Sequence, residues 1–340
     1  MVVACLLAGV GVAALVDAVR SGREAAAPGV RTRAPVGPSA SLARELESEG
    51  VEGVLYYSDP SDHCRVRALR LPALEEAPPP KLRACRFELP REPGTGFLPR
   101  RAVWHPARPL GAACVGAHVE LSTENGEVIE REAGCAPAWK PGGGLTVIRR
   151  GEIWSACTGA RGPAGRTCGR KLLSQGELTR AARAVPFVPA GRRFVRSARP
   201  LRVVWLSDTR AAVLVRIRLR GQGAALGPQA VVAVYEGRRL LRALPHAGAI
   251  DLRASPRRRL VGVVEAGDRV AVVTRDGEQW LTAADLPAPA VRAIAWSPDE
   301  RWTAAATPWS VLLVRSADLA ADRPPRVLRL PLAAADLAWR

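Results

Sequence analysis

The sequence predicts an all-β protein, a six-bladed β-propeller, on three observations. A short motif occurs six times along the 340 residues: an apolar residue, then Trp or a substitute for it, then a turn. Successive copies are 35, 66, 49, 42 and 43 residues apart, and a period of about 40–50 residues with several strand-like segments is typical of four-stranded propeller blades. The last copy ends at the C-terminus, so its strand needs a partner in the N-terminal blade, and this pairing would close the ring.

The motif copies mark the inner strands of the predicted blades. They are Val103-Trp104-His105-Pro106, Ala138-Trp139-Lys140-Pro141, Val204-Trp205-Leu206-Ser207-Asp208, Arg253-Ala254-Ser255-Pro256, Ala295-Trp296-Ser297-Pro298-Asp299 and Ala338-Trp339-Arg340. A large ring at the same place in each blade is best explained by packing between neighbouring sheets. We therefore expect the repeated Trp residues to be structural.

The N-terminal blade is predicted from alternating or clustered apolar residues. Residues 53–58 and 64–71 form two strands separated by the turn at 59–62. A segment near Cys85 and the C-terminal residues 336–339 complete four strands.

The two units nearest the C-terminus show the same order of strands. Their predicted strands are residues 250–254, 260–264, 269–274 and a segment about Trp280, and then residues 291–296, 302–306, 310–315 and 326–330.

The 66-residue interval between two motif copies requires an insertion. Part of it is a loop between Cys157 and Cys168, and part is a helix opened by the capping box at residues 174–177 and continuing through Leu178 and Ala182. We expect this insertion on the rim, where loops can lengthen without disturbing the sheets.

The region before the propeller divides into two parts. Residues 1–19 are mostly apolar and are interpreted as an N-terminal helix, either a transmembrane anchor or a signal segment, with a buried helix as the alternative. Residues 20–50 form a linker and a short helix that starts at Ser41 and stops at Gly50. The propeller then occupies residues 51–340.

The chain is strongly basic, with 50 Lys and Arg against 32 Asp and Glu and a formal charge of +18. One interpretation is a coding bias towards Arg, and the other is attraction to a polyanion. The longest basic run, residues 257–259, follows a Ser-Pro turn and is not interleaved with aromatic residues, so nucleic acid is not the expected partner.

The chain has seven cysteines, and the six that remain when Cys5 is set aside predict disulfides and an oxidising compartment. Neighbouring pairs are separated by 21, 21 and 11 residues, which suggests the pairs Cys64–Cys85, Cys114–Cys135 and Cys157–Cys168. Free buried thiols and a zinc site are the alternatives, although the chain has no Cys-x-x-Cys. We therefore expect the propeller outside the cytoplasmic membrane.

One stretch resembles a known family. Residues 295–304, AWSPDERWTA, are similar to the inner-strand repeat of TolB-type, WD-repeat-like six-bladed propellers, in which an apolar-Trp/Phe-Ser-Pro-Asp-Gly turn precedes an apolar strand. Residues 139–146 are a second, weaker copy, and the Trp-Asp dipeptide of true WD repeats is absent. The resemblance implies a membrane-anchored bacterial protein with a protein-binding or scaffolding role and no catalysis.

Common catalytic patterns are missing from the sequence, so we assign no catalytic, cofactor-binding or metal-ligating residue and expect no cofactor. There is no Gly-x-Ser-x-Gly, no His-Glu-x-x-His and no phosphate loop. The remaining candidates are turn acids and scattered histidines, and Asp in such a turn is expected to cap its own backbone. These candidates are Asp59, Asp62, Asp208, Asp299, His63, His105, His118 and His246.

The function expected is that of a non-enzymatic extracytoplasmic protein-binding module, held at the bacterial cell membrane by a single N-terminal span. Its partner would be an envelope protein or an anionic envelope component. The alternative is a propeller-type hydrolase or lyase acting on envelope polymers from the channel mouth. Trp154, Trp280 and Trp309 lie outside the repeat and are candidates for an exposed recognition surface.

Overall fold

The computed structural model describes thirteen segments of the chain. They are residues 38–58, 66–78, 103–108, 110–123, 127–157, 169–185, 195–219, 229–246, 248–265, 270–274, 279–282, 291–318 and 325–340.

The described strands form six antiparallel four-stranded sheets. In all but one of these sheets the four strands follow one another in the chain, as in propeller blades. In order from the inner strand outward, the first sheet contains β24 (Asp336–Trp339), β1 (Gly53–Ser58), β2 (Val66–Leu71) and β3 (Glu75–Ala77). The next two contain β4 (Val103–Trp104), β5 (Leu110–Val115), β6 (His118–Thr123) and β7 (Val128–Ala133), and then β8 (Cys135–Trp139), β9 (Leu145–Arg149), β10 (Glu152–Ser155) and β11 (Lys171–Leu173).

The remaining three sheets follow the same inner-to-outer order. They contain β12 (Val195–Trp205), β13 (Arg210–Leu219), β14 (Gln229–Glu236) and β15 (Arg239–Pro245); β16 (Ala249–Ala254), β17 (Leu260–Glu265), β18 (Val270–Thr274) and β19 (Gln279–Thr282); and β20 (Ala293–Trp296), β21 (Trp302–Ala306), β22 (Val311–Arg315) and β23 (Val327–Leu330).

The predicted closure is confirmed. Strand β24 pairs antiparallel with β1, from Leu55 opposite Trp339 to Ser58 opposite Asp336. The Trp339 indole N–H also donates to the carbonyl of Glu52 at 2.9 Å. The fourth strand of this sheet is β3, so the prediction that it lies near Cys85 was wrong, and Cys85 itself lies outside the described residues.

The all-β propeller class is confirmed, but the predicted count of six blades is not reached. In five sheets every strand has at least three residues, and these are complete blades. In the sheet of β4 to β7 the described part of the inner strand, β4, has only two residues and directly follows residues outside the described segments. Pro106 follows almost at once, and because it has no N–H to donate to a neighbouring strand, it limits the extension of β4 on the C-terminal side.

Helix α1 spans Pro38–Ser48 and begins three residues before the expected start at Ser41. Gly50 follows it with φ +64°, a left-handed conformation that suits the predicted stop. The predicted apolar helix and anchor at residues 1–19 lie outside the described residues and stay predictions. Neither of the two described helices has the length and apolar character needed to cross a bilayer.

Helix α2 spans Gln175–Arg183 and confirms the predicted capping box. The backbone N–H of Glu177 donates to Ser174 Oγ, and the backbone N–H of Ser174 donates to the Glu177 carboxylate at 2.7 Å. The helix buries Leu178, Ala181 and Ala182 in the same apolar cluster as β12, β13 and β14.

The core lies between successive sheets. Residues of β12 to β14 pack with those of β16 and β17 in one cluster, and residues of β17 and β18 pack with those of β20 to β22 in another. Valine and alanine dominate these faces because β-branched and small side chains fit the close approach of two sheets. The core therefore holds the inner strands in place, and their turns meet at one end of the ring.

Candidate functional site

The turns that follow the inner strands form what we call the inner-turn face. Every copy of the sequence motif ends an inner strand, at Trp104, Trp139, Trp205, Ala254, Trp296 or Trp339. The described turns between inner and second strands then follow, at residues 105–108, 140–144, 206–209, 255–259 and 297–301. Contacts between these turns hold the face together.

The motif tryptophans act as packing between sheets, as the sequence predicts. Trp139, Trp205 and Trp296 are buried, each in a cluster that includes the preceding sheet. The indole N–H of Trp139 donates to the carbonyl of Val103 at 3.0 Å, and that of Trp205 donates to Thr146 Oγ1 at 2.9 Å. Each bond crosses to the neighbouring sheet, so the Trp both fills and aligns the interface.

Two turns of the face share a Ser-Pro start and a left-handed fourth residue. In residues 255–258 and 297–300, the N–H of the fourth residue donates to the serine carbonyl at 2.9 Å. These fourth residues are Arg258, with φ +58°, and Glu300, with φ +65°. Glycine normally occupies such a position, as Gly143 does with φ +86° in another turn of the face. Arg258 and Glu300 thus hold a backbone conformation that costs a non-glycine residue free energy.

Arg258 joins three sheets. Its guanidinium Nη1 donates to the carbonyl of Trp205 at 2.6 Å and lies 3.3 Å from that of Trp139, the last residues of β12 and β8. Burial lowers the pKa of this guanidinium, and the nearby Asp208 opposes that effect. The side chain stays charged at neutral pH because the ordinary pKa of Arg is so high.

Lys140 and Asp208 connect two further turns. Lys140 Nζ donates to the carbonyl of Asp208 at 3.0 Å and lies 4.2 Å from the ring centroid of Trp205. The backbone N–H of Gly142 donates to the Asp208 carboxylate at 2.7 Å, and a Cβ at Gly142 would lie 2.8 Å from that carboxylate. Burial lowers the pKa of Lys140, Asp208 opposes this, and Arg170 adds to it.

The turn acids behave differently from one another. Asp299 caps its own turn, as expected, by accepting from Ser297 Oγ at 2.6 Å and from the backbone N–H of Arg301 at 3.0 Å. For Asp208 the expectation was wrong, because its carboxylate bonds the neighbouring turn at Gly142. Asp59 and Asp62 lie outside the described residues.

The histidines also separate into distinct environments. His105 packs edge-on against Trp139 with ring centroids 4.7 Å apart, and burial followed by Arg108 lowers its pKa. His118 is exposed, and His63 lies outside the described residues.

Sequence reasoning missed the environment of His246. It is buried with its Nδ1 2.8 Å from the Glu265 carboxylate, at the ends of β15 and β17. The sequence did offer one signal of this pair, a Glu at the end of an otherwise apolar strand. A buried carboxylate needs a polar partner, which predicts a residue such as His beside it.

A chain of ion pairs links three inner strands, β12, β16 and β24. Asp251 lies 3.2 Å from Arg202 and 3.3 Å from Arg253, and Arg253 in turn donates to Asp336 at 2.7 Å. Strand β20 lies between β16 and β24, so the bond from Arg253 to Asp336 joins inner strands that are not neighbours. The charged side chains of these inner strands therefore form ion pairs with one another.

One predicted disulfide is confirmed. Cys114 and Cys135 are bonded, and the bridge joins β5 to β8 of the next sheet. Cys64, Cys85 and Cys168 lie outside the described residues, and the half-buried Cys157 was predicted to pair with one of these. The pairs 64–85 and 157–168 stay predictions.

The three tryptophans outside the repeat differ in exposure. Trp309 is 67% exposed in the turn between β21 and β22, which lies at the end of the strands opposite to the inner-turn face. Trp154 lies between Arg149 and Lys171, with ring-to-cation distances of 4.3 and 5.2 Å. The side chain of Trp280 is not among those described.

Within the described segments, no group of three or more His, Cys, Asp or Glu side chains is arranged to hold a metal ion. The prediction that the chain has no catalytic or cofactor-binding residue is untested by this observation.

No protein-family model and no curated protein matches the chain. Among solved structures, Kuenenia stuttgartiensis hydrazine synthase is similar at 12% identity and a TM-score of 0.36, over 70% of this chain and 88% of that one. The Cps50 (Swd1) β-propeller domain of Myceliophteria thermophila is similar at 11% identity and a TM-score of 0.38, over 70% of this chain and 89% of that one. At such scores neither similarity bears on function.

Proposed function

We propose that the chain is a non-enzymatic, extracytoplasmic β-propeller that binds a partner protein at the bacterial cell envelope. In this proposal residues 1–19 tether it to the membrane, and the sheet of β4 to β7 completes a ring of six blades. The observation that carries the binding role is the inner-turn face, where Arg258, Lys140 and Asp208 bond one turn to the next. Loops held on a rigid scaffold are the usual carriers of recognition.

The location outside the cytoplasm is supported by the Cys114–Cys135 bridge, since such bonds persist mainly in oxidising compartments. The ion pairs of Arg253 with Asp251 and Asp336 favour the binding role over the alternative, a hydrolase or lyase working at the channel mouth. They engage charges of the inner strands with each other, whereas an enzyme of that kind would direct such groups towards its substrate.

The test is isolation of the full-length chain from membranes of its native host after crosslinking, with thiols mapped under non-reducing conditions. We expect the chain in the membrane fraction, bridged between Cys114 and Cys135 and crosslinked to one envelope protein. Recovery in the soluble cytoplasmic fraction with both thiols reduced would contradict the proposed location. Turnover of an isolated envelope polymer by the purified chain would favour the enzyme alternative.

A further inference from the structure

The inner-turn face carries a surplus of positive charge among its described residues. Its cations, Arg108, Lys140, Arg257, Arg258, Arg259 and Arg301, outnumber its carboxylates, Asp208, Asp299 and Glu300. The side chains of Arg257 and Arg259 are exposed and belong to the longest basic run of the sequence. The face thus combines a local surplus of positive charge with turns that are joined to each other.

The carboxylates of the face are already engaged. Asp208 accepts from Gly142, Asp299 accepts within its own turn, and Glu300 accepts the backbone N–H of Arg257 at 2.6 Å. Asp299 Oδ2 also lies 3.6 Å from Nε of the exposed Arg301, whereas the described residues include no ion-pair partner for Arg257 or Arg259. An incoming anion would meet the arginines first.

The face also holds two cations that are partly removed from water. Arg258 and Lys140 are half-buried at the ends of the inner strands, both close to Trp205 and Asp208. Charges in a less polar environment interact more strongly with an anion than fully solvated charges do. Their positions are set by the bonds to neighbouring turns, so binding would require little reorganisation.

The chemistry of the face favours an acidic protein segment over nucleic acid. Exposed Asp299 lies among the arginines, and a uniformly charged phosphate backbone would be repelled there, whereas a protein can match charges of both signs. Single-stranded nucleic acids also use aromatic platforms beside the cations. The exposed Trp309 lies at the opposite end of its strands, away from this face.

We propose that the inner-turn face is the docking surface for a carboxylate-rich segment of a partner protein, with Arg257 and Arg259 making its outer contacts. The half-buried Lys140 and Arg258 of the same face strengthen the attraction. This proposal rests on the protein-binding function proposed above and specifies its site and the chemistry of its partner.

The test compares two double charge reversals of equal size. Arg257→Glu with Arg259→Glu alters the face, and Arg183→Glu with Arg242→Glu alters exposed positions on α2 and β15. A fluorescent oligoglutamate peptide is the probe, and its anisotropy is measured at several salt concentrations. Equal melting temperatures of both variants and the wild type establish that the fold is retained.

We expect the face variant to lose at least about tenfold in affinity for the peptide and the control to stay within about twofold of wild type. Equal losses in both variants would mean that only net charge matters and would overturn the proposal. Tighter binding of a single-stranded oligonucleotide than of the peptide at the same salt would overturn the choice of a protein partner.

Crosslinking in the native host separates this proposal from the function on which it rests. If the wild-type chain captures an envelope protein and the face variant captures it equally well, the docking site is wrong and the binding function stands. If the wild-type chain captures none, the binding function itself fails.

Discussion

The turns at residues 255–258 and 297–300 share a backbone conformation, but their fourth residues, Arg258 and Glu300, carry opposite charges. Both begin with Ser-Pro and both place a non-glycine residue in the left-handed region. Arg258 reaches from its own sheet towards the carbonyls that end β8 and β12, whereas Glu300 accepts the N–H of Arg257 in the neighbouring turn. The comparison teaches that the repeat sets the backbone of each turn, while individual substitutions decide which blades become linked.

The largest effect is expected from removing the closing strand, which pairs the C-terminal residues with β1. Deleting residues 333–340 removes β24, exposes the edge of β1 and breaks the contact of Trp339 with Glu52. Thermal unfolding followed by circular dichroism should lose its cooperative transition or shift sharply downward. The exposed Ala338→Ser variant serves as a control, and an unchanged transition in the truncated chain would contradict the closed ring.

A smaller loss of stability is expected from removing the disulfide that joins β5 to β8. Replacing Cys114 and Cys135 together by Ala should lower the free energy of unfolding by about 2–4 kcal/mol, because the open chain regains the freedom of a loop of 21 residues. Urea unfolding measures this loss. Wild-type protein unfolded in the presence of a reductant should approach the variant, and a difference that survives reduction would show that packing, not the bridge, is responsible.

Matched glycine variants test whether the fourth residues of the two Ser-Pro turns contribute differently to stability. Either Arg258→Gly or Glu300→Gly removes left-handed strain of about 1–2 kcal/mol. Arg258→Gly also removes two charged hydrogen bonds worth about 1.5–3 kcal/mol each, so we expect a net loss of about 1–5 kcal/mol. Glu300→Gly should be neutral or stabilising. Equal stability changes in the two variants would show that Arg258 does not link blades.

The smallest effect concerns the pH dependence of α2. Burial alone would raise the pKa of Glu177, but hydrogen bonds from Arg238 and Ser174 lower it from 4.5 to about 2. A lowered pKa in the folded state stabilises the protein above the ordinary pKa, and this contribution is lost as the pH falls from 4.5 towards 2.

Urea unfolding across this acidic range should show a weaker pH dependence for Glu177→Gln than for the wild type. Replacing the exposed Glu47 of α1 by Gln is the matched control. If both variants keep the slope of the wild type, the bonds of Glu177 do not contribute to stability.

Much of the fold followed from local patterns in the chain. The motif copies end the inner strands, the Ser174–Glu177 box opens α2, and the last strand pairs with β1. These features depend on residues close in sequence, or on a repeat whose copies can be aligned by inspection. The one confirmed bridge, Cys114–Cys135, followed from the same regular spacing.

The candidate site was predicted only in part. The basic run at residues 257–259 could be recognised, but its place on a face with Lys140 and Asp208 could not.

The sequence by itself determined the class of fold, the order of strands and the residues that end each inner strand, since a repeated pattern of apolar residues and turns depends on neighbouring positions. The tertiary structure decided which turns bond each other. Arg258 meets a carbonyl 119 residues away, and Gly142 meets a carboxylate 66 residues away. Such pairs have no local signature, because only the closure of the ring and the packing of adjacent sheets bring them within hydrogen-bonding distance.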